Sequence, residues 1–85
     1  MSEELVSVCI PAYNSGRFIV RTIESILNQT YKNIEIVVVD DCSSDDTVDK
    51  VKSIKDDRIK LIVNEANLGM SRNWDKCVRS CSGRY

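Results

Sequence analysis

Three nearly continuous apolar runs alternate along the chain with three segments in which apolar residues recur at helical spacing. The runs are residues 5–10, 34–39 and 59–63. Apolar runs of this length are typical of strands that are covered on both faces. The helical stripes cover residues 19–27, 48–54 and 70–81, where apolar residues fall three, four or seven positions apart. The pattern therefore predicts the order β-α-β-α-β-α.

Strands that alternate with helices form a parallel sheet with helical covers, which is an α/β fold. Crossovers are right-handed in about 98% of cases. If each strand is added outward beside the last, the strand order is 3-2-1 and the first two helices share one face. The third helix then returns across the other face towards strand 1, which gives three layers in a Rossmann-like arrangement. Ligands of such sheets bind at the carboxyl ends of the strands, beside strand 1.

Several local features follow from single residues. Pro11 is expected to end the first strand, and Lys60 indicates that the third strand lies at an edge. The second helix is expected to be capped by Ser43 or Ser44. Trp74 lies on the apolar stripe of the third helix and is expected in the core, and Gly83 suits the C-terminal cap of that helix.

Composition excludes several classes of protein. The chain has 85 residues, which is room for one domain, and 12 basic against 13 acidic residues leave a net charge of −1. This balance gives no electrostatic footprint for nucleic acid. The longest uninterrupted apolar run, Ile36–Val39, is far short of the ~20 residues of a membrane span, and the first residues carry no export signal. We therefore expect a cytoplasmic protein whose four cysteines are buried thiols rather than disulfides or zinc ligands.

Candidate chemistry collects at the carboxyl ends of the first two strands. Tyr13 follows the first strand and offers a flat face on which a base could stack. Asp40 and Asp41 follow the second strand, and an ionised aspartate could accept the imide N–H of a uracil. The start of the first helix, residues 15–17, could hold negative charge through backbone N–H groups. The alternative is that the aspartates and serines only cap a helix and that Tyr13 only forms a turn.

The chain resembles the family 2 glycosyltransferases over nearly its whole length. The matching segments are residues 6–14, Val-Ser-Val-Cys-Ile-Pro-Ala-Tyr-Asn; 22–31, Thr-Ile-Glu-Ser-Ile-Leu-Asn-Gln-Thr-Tyr; 36–47, Ile-Val-Val-Val-Asp-Asp-Cys-Ser-Ser-Asp-Asp-Thr; 67–69, Asn-Leu-Gly; and 82–85, Ser-Gly-Arg-Tyr. The resemblance implies a GT-A fold, in which a Rossmann-like sheet binds a nucleotide-activated sugar.

The resemblance also implies roles for individual residues. Tyr13 would stack on the base, Asp41 would accept the N–H of the base, and Asp40 would support its loop or the ribose. Arg72 and Asn73 correspond to an Ala-Arg-Asn segment of many members, and Asn73 is the better match. The full nucleotide-binding set implied is Pro11, Ala12, Tyr13, Asn14, Asp40, Asp41, Asn67, Gly69, Arg72 and Asn73.

The activity implied is transfer of a sugar, with inversion, from a nucleotide-sugar donor, most simply a UDP-sugar, to a glycan or lipid acceptor in polysaccharide biosynthesis. The family continues into a fourth strand that ends in Asp-x-Asp and holds a divalent metal, Mg²⁺ or Mn²⁺. The chain stops at Tyr85, so residues 1–85 are expected to be the N-terminal, nucleotide-binding part of an incomplete glycosyltransferase domain with a truncated switch point. We expect this part to bind no metal and to transfer no sugar alone.

Two further expectations concern partners and alternatives. Without a fourth strand the first strand is an apolar edge, which predicts self-association through residues 6–10.

A non-catalytic nucleotide-binding module of the same fold is one alternative to an enzyme. The other is a signalling receiver domain, in which an acidic pair such as Asp40 and Asp41 binds Mg²⁺. In that class a phosphorylated aspartate follows the third strand, where this chain has Asn64.

Overall fold

The computed structural model describes residues 4–81 and shows six elements in the predicted order. The elements are β1 (Val6–Ala12), α1 (Ile19–Leu27), β2 (Ile34–Asp40), α2 (Thr47–Ser53), β3 (Ile59–Val63) and α3 (Met70–Arg79). The expected cap at Gly83 and the matching segment 82–85 lie outside the described residues.

The three strands form one parallel sheet in the order β1-β2-β3, so the predicted strand order is confirmed. Val6 pairs with Ile34 and Ala12 with Asp40, which brings the ends of β1 and β2 level with each other. β2 is the central strand, and residues 36–39 are completely buried. In the described sheet β1 and β3 are the edges, and Lys60 on β3 is exposed as expected.

The two faces of β2 are covered by different helices. Ile36 and Val38 belong to a cluster with Ile23 of α1 and Val51 of α2. Alternate residues of the same strand, Val37 and Val39, belong to a second cluster with Cys77 of α3. Since side chains alternate across a strand, this separation confirms the three layers, with α1 and α2 on one face and α3 on the other.

Pro11 does not end β1, contrary to expectation, because the strand continues to Ala12 and pairs Pro11 with Val39. The N–H of Val6 donates to Asn33 O, and Ala12 O accepts from Asp41 N–H, so even-numbered residues direct their backbone groups towards β2. By alternation, the nitrogen of Pro11 faces the other edge. A proline is tolerated in an edge strand when its missing N–H is not required.

The predicted cap of the second helix is also wrong. α2 begins at Thr47, several residues after Ser43 and Ser44. The N–H of Thr47 donates to Asp45 Oδ1 at 3.0 Å, so the carboxylate of Asp45 takes the place expected for a serine hydroxyl. Ser43 Oγ accepts from Asn14 N–H and Ser44 N–H donates to Asn14 Oδ1 instead.

The prediction that Trp74 lies in the core is wrong as well. Its side chain is 52% exposed, and Met70 one turn earlier is 86% exposed. The inner face of α3 is formed by Asn73 and Cys77, both of which are buried. The helix is therefore oriented so that the polar residue Asn73, and not Trp74 of the apolar stripe, faces the sheet.

The four cysteines are all free thiols, in different environments. Cys77 is buried as expected, Cys9 and Cys81 are half-buried, and Cys42 is exposed, which contradicts the expectation for that residue. Burial raises the pKa of Cys81 to about 11.

Within residues 4–81 the longest of the three helices is α3, with 10 residues, and none has the length and apolar character of a membrane span.

Candidate functional site

An open cleft of about 870 Å³ lies where β1 and β2 end and α3 begins. It is therefore at the carboxyl edge of the sheet, where the sequence placed a ligand site. Four segments contribute its lining: the end of β1 with the loop that follows, the residue after β2, the loop before α3, and the first turns of α3. The lining residues are Pro11, Ala12, Tyr13, Ser15, Asp41, Asn67, Gly69, Met70, Ser71, Asn73 and Trp74.

Most of the residues that the sequence assigned to nucleotide binding meet in this cleft. Pro11, Ala12 and Tyr13 come from β1 and its loop, Asp41 from the end of β2, and Asn67, Gly69 and Asn73 from the loop and helix that follow β3. The structure does not bring Asn14, Asp40 or Arg72 into the lining. Tyr13 is 53% exposed, so its ring stands at the mouth of the cleft.

Asn14 holds the loop behind Tyr13. Its φ of 49° is left-handed, a conformation that asparagine tolerates better than most residues. Its N–H donates to Ser43 Oγ at 2.8 Å, and its Oδ1 accepts from Ser44 N–H at 2.8 Å. Asn14 thus ties the β1–α1 loop to the β2–α2 loop and fixes the backbone from which Tyr13 projects.

The backbone N–H groups before α1 already have protein partners. Ser15 N–H donates to Thr47 Oγ1 at 2.9 Å, and Gly16 N–H donates to Asp45 Oδ2 at 3.1 Å. For Ser15 and Gly16 the expectation that these groups hold the negative charge of a ligand is therefore wrong, because side-chain oxygens of Thr47 and Asp45 already accept from them. The side-chain hydrogen bond from Thr47 is the largest cause that lowers the pKa of Asp45.

Asp40 is buried and supports the loop that follows it. Its Oδ2 accepts from Ser43 N–H at 2.9 Å and its Oδ1 from Ser43 Oγ at 2.5 Å. These bonds close a tight turn that contains Cys42, whose φ of 62° is left-handed. This geometry is that of a loop-supporting residue, and it turns the carboxylate away from the cleft lining.

Asp41 lies at the floor of the cleft and is only 3% exposed. Its Oδ1 accepts from Leu68 N–H at 2.7 Å and from Asn64 Nδ2 at 2.9 Å, and its Oδ2 accepts from Gly69 N–H at 3.0 Å. Burial by itself would raise the pKa of Asp41, but these donors and the charge of Lys76 outweigh it and lower the pKa. Asp41 is therefore an ionised carboxylate in a buried position.

Asp41 Oδ2 has fewer hydrogen-bond donors around it than Oδ1. Each carboxylate oxygen can accept two hydrogen bonds. Among the described residues, Oδ1 has two donors while Gly69 N–H is the donor to Oδ2. Because Asp41 also lines the cleft, Oδ2 can accept a further N–H from a molecule bound there.

The sequence reasoning missed a buried polar network beneath the cleft. Asn64 Nδ2 also donates to Asn73 Oδ1 at 2.8 Å, and Lys76 Nζ donates to Asn64 Oδ1 at 2.7 Å. Asn73 Nδ2 donates to Val39 O at 3.0 Å. Both ends of the Asn73 amide therefore have protein partners, and this side chain holds α3 against the end of β2. The signal in the sequence was a polar residue, Asn64, directly after a strand.

The sequence reasoning also missed the apolar wall that α3 gives the cleft. Met70 and Trp74 lie one turn apart and both line it. Arg72 is exposed and lies outside the lining. Among the described lining residues, Asp41 is the one side chain that is charged at neutral pH. The cleft therefore combines aromatic and thioether surface with a single buried carboxylate.

Residues 4–81 include no group of three or more His, Cys, Asp or Glu side chains that could hold a metal ion. The carboxylates of Asp40 and Asp41 are engaged by separate loops, as described above. The family resemblance assigns its divalent metal to an Asp-x-Asp motif on a fourth strand, which is not among the described residues, and no chemical step is derived through a metal.

Comparison with known proteins identifies the class to which this fold and cleft belong. The sequence model of glycosyl transferase family 2 matches residues 7–85, and the chain belongs to this family. This membership confirms the resemblance seen in the sequence and decides against the receiver-domain alternative. Two solved structures share the fold, which is the GT-A fold of glycosyltransferases.

The solved structures come from two different organisms. The mannosyltransferase PcManGT from Pyrobaculum calidifontis, in complex with GDP-Man and Mn²⁺, superposes with a TM-score of 0.84 at 26% identity, over 98% of this chain and 26% of that chain. TarS from S. aureus superposes with a TM-score of 0.84 at 29% identity, over 95% of this chain and 25% of that chain.

Two relatives from Escherichia coli are more similar in sequence. The UDP-Glc:alpha-D-GlcNAc-diphosphoundecaprenol beta-1,3-glucosyltransferase WfaP is 48% identical over 82 residues, which is 96% of this chain and 33% of the relative. The enzyme WfgD, which has the same full description, is 42% identical over 85 residues, all of this chain and 34% of the relative. The chain thus spans about a third of the length of these relatives.

Proposed function

We propose that the chain forms the nucleotide-binding part of a glycosyltransferase that uses a UDP-linked sugar. The observation that carries this proposal is the meeting of Tyr13 and Asp41 in one cleft at the carboxyl edge of the sheet. Family membership supports an enzyme, and the names of the two Escherichia coli relatives support UDP-glucose as the type of donor.

The chemistry of the cleft suits a uracil base. The exposed ring of Tyr13 provides a face for stacking, and the ionised Asp41 accepts hydrogen bonds but donates none. The N3–H group of uracil would donate a hydrogen bond to Asp41 Oδ2. Cytosine has a lone pair at N3 in place of that N–H, and adenine has a lone pair at N1. A carboxylate at this position therefore selects bases with an imide-type N–H.

The transfer reaction belongs to the whole protein. In it, an acceptor hydroxyl displaces the nucleoside diphosphate from the sugar in line and with inversion, after a base has taken the proton of that hydroxyl. Residues of the whole protein other than those described here would hold a divalent metal, Mg²⁺ or Mn²⁺, and the chemistry such a metal would supply is neutralisation of negative charge on the diphosphate. The complex of PcManGT with GDP-Man and Mn²⁺ supports this part of the proposal. The contribution of this chain is to bind and orient the nucleoside.

A lipid-linked saccharide is the acceptor that we propose for the whole protein. The names of WfaP and WfgD both specify a diphosphoundecaprenol-linked acceptor. Such an acceptor would place the reaction at a membrane surface, which for the cytoplasmic protein that we expect would be the cytoplasmic face. A glycan acceptor without a lipid is the alternative that an acceptor assay on the longer protein would distinguish.

Calorimetric titration of the chain with UDP, CDP, ADP and GDP tests nucleoside recognition. We expect UDP to bind and CDP and ADP to bind at least about 10-fold more weakly, since a hydrogen bond to a charged group contributes roughly 1.5–3 kcal/mol. GDP carries an N–H at the matching edge and tests whether the cleft admits a purine. Equal binding of UDP and CDP, or no binding of UDP at millimolar concentration, would overturn the proposal.

Two variants show whether the binding occurs in this cleft. Tyr13→Ala removes the stacking surface from an exposed position and should weaken UDP binding without unfolding the chain. Phe18→Ala is the matched control, because Phe18 is an exposed aromatic residue outside the cleft lining. Binding that responds equally to both changes would place the nucleotide elsewhere on the surface.

A further inference from the structure

Trp74 is an aromatic side chain that the fold leaves half exposed inside a cleft. It is the only tryptophan of the chain. Its exposure of 52% and that of Met70, 86%, are high for large apolar side chains in the first turns of a packed helix. Residues four positions apart lie on the same side of a helix, so the two side chains form one apolar surface. Such exposed surfaces commonly mark ligand sites.

This surface lines the same cleft as Tyr13 and Asp41, but it comes from a different element. Tyr13 projects from the loop after β1, whereas Trp74 projects from α3. The inner side of α3 is fixed by Asn73, whose Nδ2 donates to Val39 O. The position of Trp74 at the cleft is therefore set by a buried hydrogen bond of its direct neighbour in the sequence.

Besides this apolar surface, Tyr13 and one carboxylate, the polar side chains of the described lining are uncharged. Among the described lining residues there is no lysine or arginine to pair with phosphates, and Arg72 lies outside the lining. Stacking on aromatic rings does not depend on phosphate charge. Affinity in this cleft is therefore expected to come mainly from the nucleoside.

We infer that Trp74 contacts the nucleoside of the bound nucleotide and supplies a second aromatic surface beside Tyr13. This inference rests on the proposed function and extends it by naming a binding residue on α3. Met70 completes the surface with a thioether, which packs favourably against aromatic rings. Trp74 is thus a nucleoside-binding residue of the donor site.

The single indole gives a direct readout. In a ¹H–¹⁵N spectrum of the chain, Trp74 contributes one Nε1–H signal, and we expect this signal to shift on titration with UDP and to saturate with the calorimetric Kd. In calorimetry, Trp74→Ala should raise the Kd by about 10-fold, and Trp74→Phe by less than about threefold, because a phenyl ring still stacks. Phe18→Ala is the matched control, since Phe18 is an exposed aromatic residue outside the lining.

A comparison of uridine with UDP identifies the part of the ligand that Trp74 touches. If the indole contacts the nucleoside, Trp74→Ala weakens uridine and UDP by the same factor. A loss confined to UDP would assign Trp74 to the phosphates or beyond and overturn the inference. Unchanged affinity in Trp74→Ala, with wild-type chain that still binds UDP, would overturn the inference alone. Failure of the wild-type chain to bind UDP would overturn the proposed function as well.

Discussion

Replacement of Asp41 by alanine is expected to destabilise the fold as well as the cleft. The change removes the acceptor of three donors: Leu68 N–H, Gly69 N–H and Asn64 Nδ2. Hydrogen bonds to a charged group contribute roughly 1.5–3 kcal/mol each, and a buried donor left without a partner costs about 1–3 kcal/mol. Leu68 and Gly69 are exposed and can turn their N–H groups to water, but Asn64 is 3% exposed. We therefore expect a loss of about 2–4 kcal/mol in the free energy of unfolding.

Urea unfolding followed by circular dichroism measures this loss. A slope of about 1 kcal/mol per molar urea is typical of small domains, so the midpoint should fall by about 2–4 M. Since small domains are stable by only about 5 kcal/mol, Asp41→Ala should keep about 1–3 kcal/mol and unfold near 1–3 M urea. Asp41→Asn keeps one acceptor oxygen and should lose less. If Asp41→Ala shifts the midpoint no more than Asp57→Ala, a change at an exposed aspartate, the assignment of Asp41 as the centre of this network is refuted.

The same variant gives a pH test. The pKa of Asp41 is lowered in the folded state. A lowered pKa means that the stabilisation is present above the ordinary aspartate value of about 3.9 and is lost as the pH falls through the folded-state pKa. The difference in stability between wild type and Asp41→Ala should therefore be full at neutral pH and shrink below about pH 4. A difference that stays constant into acid would contradict the charged state assigned to Asp41.

Three further predictions address other parts of the molecule. Gly16→Ala should lower the free energy of unfolding by less than about 1 kcal/mol in the same urea assay, because the added Cβ would meet the end of the exposed Asp46 side chain, which can move aside; a loss above about 2 kcal/mol would contradict this packing. Cys42 should react with a thiol reagent well before Cys81, whose pKa is raised to about 11, and Cys42→Ser should remove the fast phase. The β1 edge of the described sheet should promote self-association, which sedimentation at increasing concentration would detect; a monomeric mass at the highest concentration would contradict it.

The order of elements and the layers of the fold were predictable because each strand and helix carries its own apolar period. The run at 34–39 identifies a strand that is buried on both faces, and the central position of β2 follows from it. The position of the cleft also followed, since the carboxyl ends of parallel strands meet at one edge. These features depend on short stretches of sequence and on the handedness of crossovers.

The rotation of α3 was not predictable, because it depends on a long-range polar contact. The apolar period placed Trp74 inside, but the hydrogen bond from Asn73 to Val39 O turns the helix so that Trp74 faces the cleft. The partners of Asp41 were missed for a similar reason. The loop that donates to it follows β3, more than 20 residues later in the chain. Periodicity within one segment cannot reveal a partner in another.

The central claim is that the base of UDP occupies the cleft between the ends of β1 and β2 and the start of α3. A crystal structure of the chain with UDP tests it most directly. We expect the uracil ring to lie against Tyr13 and Trp74, with its N3 about 3 Å from Asp41 Oδ2. A base bound at any other surface, or a cleft that holds the phosphates in place of the uracil, would contradict the account.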